Sequence, residues 1–374
     1  MKTILLISPY WKEDHRWMVS SYKLAELWRR LGYKVIVACM GSETRPLTKL
    51  QDNLFLATRK DWFLKDPWNY GISFGFSGFV LKLAEEEKPD IVIVNKVLFW
   101  SSIALLRLRL AGHRVLLTTD ALVGITWWPR GRIAKICAAI YAWTLGWLIL
   151  QCATKIVFFH PQPPAVLARL GIEEKSMVIP TGIDPQGYGL GPNPNPQPST
   201  LNITYVGRLE SVKGVDDFLA AAVLVKKAYP DINIQVAGWA KPNHPLLSQY
   251  RDDVLFLGLC NDVPALLATT HIFVLPSYSE GLSNALMEAM ASGCACIASD
   301  VGGNRFLIQN GVSGFLFPAG DRGALSSYIQ KLVVDQDKRR SFGEKARQRI
   351  EEVFSWEKVG QQYRVLFDSW TTDR

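Results

Sequence analysis

Two carboxylates bracket a run of small residues in SYSEGLSNALMEAMASG, residues 277–293. Glu280 precedes a helix start, and Glu288 follows inside the helix. Pro276 and Ser277 close a strand, and Glu280, Gly281 and Leu282 form a loop. Ser283 or Asn284 caps the helix and Gly293 ends it. Leu286, Ala289 and Met290 make its buried stripe. Glu288 lies about 200° round from Leu286 and so faces away from that core. The amides at a helix start are an anion site. A carboxylate repels phosphate, so Glu280 and Glu288 suit hydroxyl pairs on either side of an anion. For Glu288 the plainer reading is a solvated helix face.

Upstream, GRLESVKG (207–214) follows a strand ending at Val206. Gly207 permits a tight turn, and Arg208 and Lys213 then fall at the carboxyl end of a sheet, where α/β ligands sit. Arg and Lys there suit a phosphate or diphosphate; a solvated loop is the alternative. A nucleotide sugar has the matching layout. Glu280 would take sugar hydroxyls, the helix amides with Arg208 and Lys213 the diphosphate, and Glu288 the ribose.

The elements that position these residues alternate. TILLIS (3–8), KVIVAC (34–39), DIVIVN (90–95), RVLLTT (114–119) and KIVFFH (155–160) read as buried strands. Residues 18–32 have helical spacing and stop at Gly32. After a Pro/Gly/Asn-rich stretch (180–200) the pattern restarts with strands at 202–207, 233–238, 254–258, 271–277 and 294–299. Short β-branched runs separated by helices predict parallel sheets covered on both faces. The expected fold is α/β, with two Rossmann-like domains and a cleft between them as the site. Expected bounds are 1–183, a linker at 184–200, 201–355, and a C-terminal helix at 356–374 with Trp356, Val359, Tyr363, Leu366 and Phe367 on one face.

The chain has 374 residues, 48% hydrophobic and 20% charged, a composition for packed domains rather than disorder. Its charge is uneven: residues 1–180 hold 24 Lys/Arg against 14 Asp/Glu, while 181–374 hold 18 against 20. Ten of the thirteen tryptophans lie before residue 150. A basic, Trp-rich half admits nucleic acid, but an anionic membrane surface suits the indoles better, and no nucleic-acid partner is expected. IAKICAAIYAWTLGWLILQCA (133–153) is strongly apolar, but its uninterrupted run from Ile136 to Leu150 is 15 residues, short of the ~20 needed to span a bilayer. It is expected to be a buried or partly lipid-facing helix, with WWPRGR (127–132) as an interfacial anchor. The six scattered cysteines read as reduced thiols, with no metal spacing. The N-terminus lacks a signal-peptide pattern, which points to a cytoplasmic protein, peripheral on the inner membrane face.

Together, the E-x7-E of PSYSEGLSNALMEAMASG, GRLESVKG, PTGID (180–184) and SDVGGNRFLIQNGVSGFLFPAGD (299–321) resemble the GT-B glycosyltransferases of family four. The resemblance covers residues 178 to 357. It implies retaining transfer from a UDP- or GDP-linked sugar. It implies that Arg208 and Lys213 bind the diphosphate, Glu280 the donor sugar and Glu288 the ribose. Amides around Gly281, Leu282, Ser283 and Asn284 would hold phosphate or sugar beside Gly207, and Leu259 and Cys260 the base. The C-terminal helix is expected to return to the first domain. The first half matches less well. Where relatives carry a Gly-Gly loop this chain has PYWKEDHRW (9–17), and where many carry a His near the reacting sugar it has Thr119-Asp120. Asp120 is therefore a substitute candidate, and His15 and Arg16 are candidates on the acceptor side. Phe306 stands where relatives often have Glu.

The expected reaction is hexosyl transfer by front-face attack, the leaving phosphate taking the acceptor proton and cations stabilising it. No D-x-D motif is suitably placed, so no metal or other cofactor is expected. The charge and Trp bias favour a lipid-linked or glycolipid acceptor. The alternatives are a soluble or polysaccharide acceptor, a phosphorylase or epimerase of the same build, and a non-catalytic nucleotide-sugar-binding protein.

Overall fold

The computed structural model describes residues 1–11, 19–64, 70–128, 132–189 and 200–372. The chain divides into two compact units, Met1–Thr181 with Val359–Arg374, and Gly182–Lys358.

In the first unit, continuous apolar runs give β1 (Thr3–Ser8) and β2 (Lys34–Gly41), fully buried beyond their first residues. They are followed by β3 (Arg45–Gln51), β4 (Leu54–Lys60), β5 (Trp62–Leu64) and β6 (Tyr70–Ile72). Next come β7 (Ile91–Asn95), β8 (Val115–Thr119), β9 (Lys155–Phe158) and β10 (Ser176–Val178). The sheet runs β10-β9-β8-β7-β1-β2-β4-β3, with β5 and β6 a separate ribbon. Every pairing in it is parallel except β3 on β4. The exposed β3, RPLTKLQ, carries a proline, as only an edge can.

The second unit restarts with β11 (Leu201–Val206), β12 (Ile232–Ala237), β13 (Val254–Gly258), β14 (Ile272–Leu275), β15 (Ala295–Ser299) and β16 (Phe315–Phe317). All are parallel, in the order β13-β12-β11-β14-β15-β16. Strand order reverses between β1 and β7 in the first sheet and between β11 and β14 in the second.

The last helix, Trp356–Thr372, does return to the first unit. It buries Val359, Tyr363, Leu366, Phe367 and Trp370. Trp28 meets the Tyr363 and Phe367 rings edge-on at 5.4 and 5.7 Å, and the Arg114 guanidinium lies 4.5 Å from the Trp370 ring centre. Burying one such aromatic stabilises by about 1.5–3 kcal/mol.

The apolar segment is longer than its uninterrupted 15-residue run, and the helix remains partly exposed as a lipid-facing helix would be. Residues 132–152 form a continuous 21-residue apolar helix, most of which is not buried. Its middle, Ala142–Gly146, is π-helical. Small residues, Ala138, Ala142 and Gly146, together with Ile149 and Leu150, face inward. Ile133 (71% exposed), Ile136 and Ile140 (60% each), Trp143, Trp147 and Leu148 face out. By length and composition it could cross a membrane. It feeds at once into β9, however, which is held between β8 and β10, and a crossing would pull that strand from the sheet.

Candidate functional site

The carboxyl edge of the second sheet gathers the chemistry at its reversal point, where parallel α/β sheets bind ligands. The loop after β11 carries Gly207, Arg208 and Lys213; the loop after β14 carries Glu280, Gly281, Leu282 and Ser283. The loops are stitched together. The Tyr278 amide donates to the Val212 carbonyl at 2.8 Å. Gly214, with φ 65°, lies so close to Pro276 that a Cβ would sit 2.1 Å from its carbonyl oxygen.

At this seam Lys213 Nζ donates to Glu280 Oε1 at 2.7 Å, and Ser277 Oγ donates to the same oxygen at 2.7 Å. The lysine and glutamate side chains are 22% and 10% exposed. One carboxylate oxygen is thus fixed by two donors, while Oε2 has no hydrogen bond among the described residues. That is the arrangement for accepting from a ligand hydroxyl. Behind it, the Gly303 amide donates to the Gly281 carbonyl at 3.1 Å. A Cβ on Gly302 would stand 1.9 Å from the Glu280 carbonyl oxygen. Asn304 Nδ2 holds the Ser299 carbonyl at 3.1 Å, and Ser299 Oγ in turn donates to the Ser277 carbonyl. Burial, and then the Glu280 carboxylate, push the Tyr205 phenol above its ordinary value. It stays protonated and donates to the Arg208 carbonyl at 2.9 Å.

Arg208 itself turns outward. Its guanidinium bonds Glu210 at 2.9 Å and is 61% exposed. Of the two cations expected on one diphosphate, only Lys213 touches Glu280.

The helix Asn284–Ala291 is capped by Ser283, whose Oγ accepts from the Leu286 amide at 3.4 Å. Asn284 is its first residue. Met287 joins Leu286, Ala289 and Met290 in the buried set, because the helix is covered on more than one side. Glu288 is half-buried rather than a solvated face. Its partner is Tyr188, whose phenol is pushed up by burial and by its hydrogen bond to the Glu288 carboxylate.

A pocket of about 340 Å³ opens at the ends of β12 and β13, lined by Leu209, Gly238, Trp239, Lys241, Phe256 and Leu259, among others. Its lining is mostly apolar, with the Trp239 and Phe256 rings beside Lys241. Leu259 lies in its lining. The half-buried Cys260 is not among its lining residues, whereas Trp239 is. Phe306, half-buried, packs edge-on against Phe354 at 5.2 Å.

In the first unit, Asp120 follows β8 and meets Lys96, which follows β7, at 2.7 Å. The side chains are 11% exposed for Lys96 and 42% for Asp120. Burial raises the Asp120 carboxyl, but the Lys96 ammonium outweighs it, and the net shift is downward. Lys96 is held with φ 76°, unusual for a residue with a side chain. His160 is buried, which lowers its pKa, and its ring lies beside Gln162. His15 and Arg16 lie outside the described residues.

Sequence reasoning missed Ser277, Tyr188, Trp239 and Lys96. Only Trp239, alone just past a strand end, carried a readable signal.

Two parallel-sheet units with a ligand edge of this kind define a GT-B glycosyltransferase architecture. Sucrose-phosphate synthase from Thermosynechococcus elongatus aligns with TM-score 0.79 and 20% identity over 100% of both chains. HepE from Anabaena, in a crystal structure with UDP and glucose, aligns with TM-score 0.74 and 16% identity over 99% of this chain and 100% of that one. Residues 19–186 match the family Glycosyltransferase Family 4, and residues 193–349 match Glycosyl transferases group 1. This chain belongs to the family-four GT-B glycosyltransferases. A curated relative, the UDP-Gal:alpha-D-GlcNAc-diphosphoundecaprenol alpha-1,3-galactosyltransferase of Escherichia coli, is 29% identical over 54% of this chain and 57% of its own length. The chain spans about half the length, or less, of the first curated relatives it matches.

Proposed function

We propose that this chain transfers a hexose from a UDP- or GDP-linked donor to a lipid-linked or glycolipid acceptor, with retention at the anomeric carbon. The observation that carries the reading is the Lys213–Glu280–Ser277 cluster at the β11/β14 reversal, with the base-sized pocket on the same sheet edge. Glu280 Oε2 accepts from the donor sugar, and Glu288 from the ribose. Lys213, Arg208 and the amides of Gly281 to Asn284 offset the charge growing on the diphosphate. The acceptor hydroxyl attacks the anomeric carbon on the face the diphosphate leaves. The C–O bond to the donor phosphate breaks as the new glycosidic bond forms, and a phosphate oxygen takes the acceptor proton. Positive charge comes from the chain's own residues, so the reaction is expected to run in EDTA. Asp120, oriented by Lys96, accepts a hydrogen bond from the reacting sugar, in the place where relatives use His.

The lipid-linked acceptor is supported by the outward face of the helix at 132–152 and by the basic first half. The curated Escherichia coli relative is itself named for a diphosphoundecaprenol acceptor. The protein would act at the cytosolic face of an anionic membrane, bound peripherally. The test is incubation with a panel of nucleotide sugars and a membrane lipid extract. Intact protein should release nucleoside diphosphate and label lipid, and Glu280→Ala should lose at least a hundredfold in rate while keeping its fold. Full activity in Glu280→Ala would sink the site assignment. Donor binding without turnover would favour the non-catalytic reading, and labelling of only soluble glycans would favour the soluble acceptor.

A further inference from the structure

The carboxyl edge of the first sheet holds a second built pocket. β4 ends at Lys60, level with Gly41 at the end of β2. There a pocket of about 450 Å³ is lined by Thr44, Arg59, Lys60, Trp62, Ile72 and Phe74. One wall is aromatic. Trp62 and Phe74 meet edge-on at 5.8 Å, and Phe74 meets Trp100 at 5.5 Å. Hydrogen bonds fix this wall in place. Ser73 Oγ donates to the Lys60 carbonyl at 2.7 Å, and Trp100 Nε1 donates to the Ser73 carbonyl at 2.8 Å. The lining also carries two cations, Arg59 and Lys60, that make no ion pair among the described residues, with Arg59 reaching toward Gly75. Thr44 Oγ1 accepts from the Lys60 amide at 3.0 Å.

Trp62 is 71% exposed and Phe74 67%, although both are large apolar side chains. A pair of exposed aromatic rings lining one pocket with two cations offers two kinds of contact. The ring faces stack on the C–H face of a sugar, and Arg and Lys bind a phosphate. We propose that this pocket binds a phosphate-bearing sugar, the sugar against Trp62 and Phe74 and the phosphate against Arg59 and Lys60. It thereby holds the acceptor at the first unit. The acceptor role rests on the transfer reading above; the binding chemistry does not. The phosphate can belong to a lipid-linked sugar diphosphate or to a soluble sugar phosphate.

The test is calorimetric titration with three probes: glucose 1-phosphate, a farnesyl-diphosphate-linked glucose, and octyl glucoside, which has no phosphate. Intact protein should bind both phosphate-bearing probes at least tenfold more tightly than octyl glucoside, and more weakly as salt rises. Tenfold tighter binding of the farnesyl probe assigns the pocket to a lipid-linked ligand, and equal binding to a soluble one. The double variant Arg59→Gln, Lys60→Gln and the single variant Trp62→Ala should each lose at least tenfold, with UDP binding and the thermal melt unchanged. No binding of either phosphate-bearing probe, or wild-type affinity in both variants, overturns the proposal. Wild-type transfer rates in both variants would overturn the acceptor role and leave the transfer reading intact. Phosphosugar binding lost in the variants, in a protein that turns over no donor, would do the reverse.

Discussion

Replacing Gly302 with alanine tests whether the turn behind Glu280 sets the position of that carboxylate. Gly302 has φ 47°, and its Cβ would lie 1.9 Å from the Glu280 carbonyl oxygen, whereas Cβ contacts under 3.0 Å essentially never occur. The Glu280 loop must therefore retreat by about 1.1 Å, because the atom that the Cβ would meet is backbone rather than the far end of a flexible side chain. A displacement of that size near reacting atoms costs about 10²-fold in rate, or about 2.7 kcal/mol of transition-state stabilisation. The left-handed backbone adds about 1–2 kcal/mol of strain that acts on stability alone. Gly311→Ala is the control. Gly311 has φ 77° and nothing within 4 Å of its would-be Cβ, so it carries the strain without the displacement. The assay is initial-rate release of nucleoside diphosphate, with thermal melts alongside. Both variants should melt about 2–8 °C lower, and only Gly302→Ala should lose the hundredfold in rate. A Gly302→Ala enzyme with wild-type rate, or a Gly311→Ala enzyme equally slow, would refute the reasoning.

Other expectations follow from the same geometry. Lys96→Met removes the charge that holds the Asp120 carboxyl below its ordinary value and leaves the burial that raises it. The depressed carboxyl contributes stability above its unfolded pKa that is lost as pH falls through the folded one. The variant should therefore be less stable than the parent at neutral pH, with the difference shrinking as pH falls through the parent's folded pKa, read by denaturant melts at several pH values, and its activity should fail at a higher pH on the acid side. Trp239→Ala should raise the donor KM about tenfold with little change in kcat, since stacking on one aromatic contributes about 1–3 kcal/mol. Ile136→Glu with Ile140→Glu places two charges on the exposed face of the helix at 132–152. Cosedimentation with anionic vesicles should then be lost, while transfer to a detergent-solubilised acceptor persists; unchanged cosedimentation would remove that helix from the membrane.

Strands buried on both faces were legible because nothing in them alternates: β1, β2, β7, β8 and β9 each read as continuous apolar runs. The edges were not. RPLTKLQ is exposed along its length and pairs only because β4 lies beside it. The three-residue β10 and β16 are too short to show a period. In the site, Glu280 and Lys213 were legible as types and positions, but not as partners, since 67 residues separate them and it is the β11–β14 pairing that sets their loops side by side. Lys96 was silent for the same reason. A lysine after a strand means little until β7 and β8 are set side by side. Glu288 was placed correctly on its helix, yet a single helix cannot reveal Tyr188 arriving from a distant turn.

The exposed face of the helix at 132–152 carries Cys137, while Cys39, Cys294 and Cys296 are buried and Cys152 and Cys260 are half-covered. A maleimide dye under mild conditions should therefore tag that face first, with no engineered cysteine. An environment-sensitive fluorophore there would report arrival at a bilayer as a blue shift. The same thiol is a hazard in the tube. Protein stored without reductant can cross-link through Cys137 into pairs that hide the apolar stripe, and such pairs would pass for a native dimer while being unable to dock.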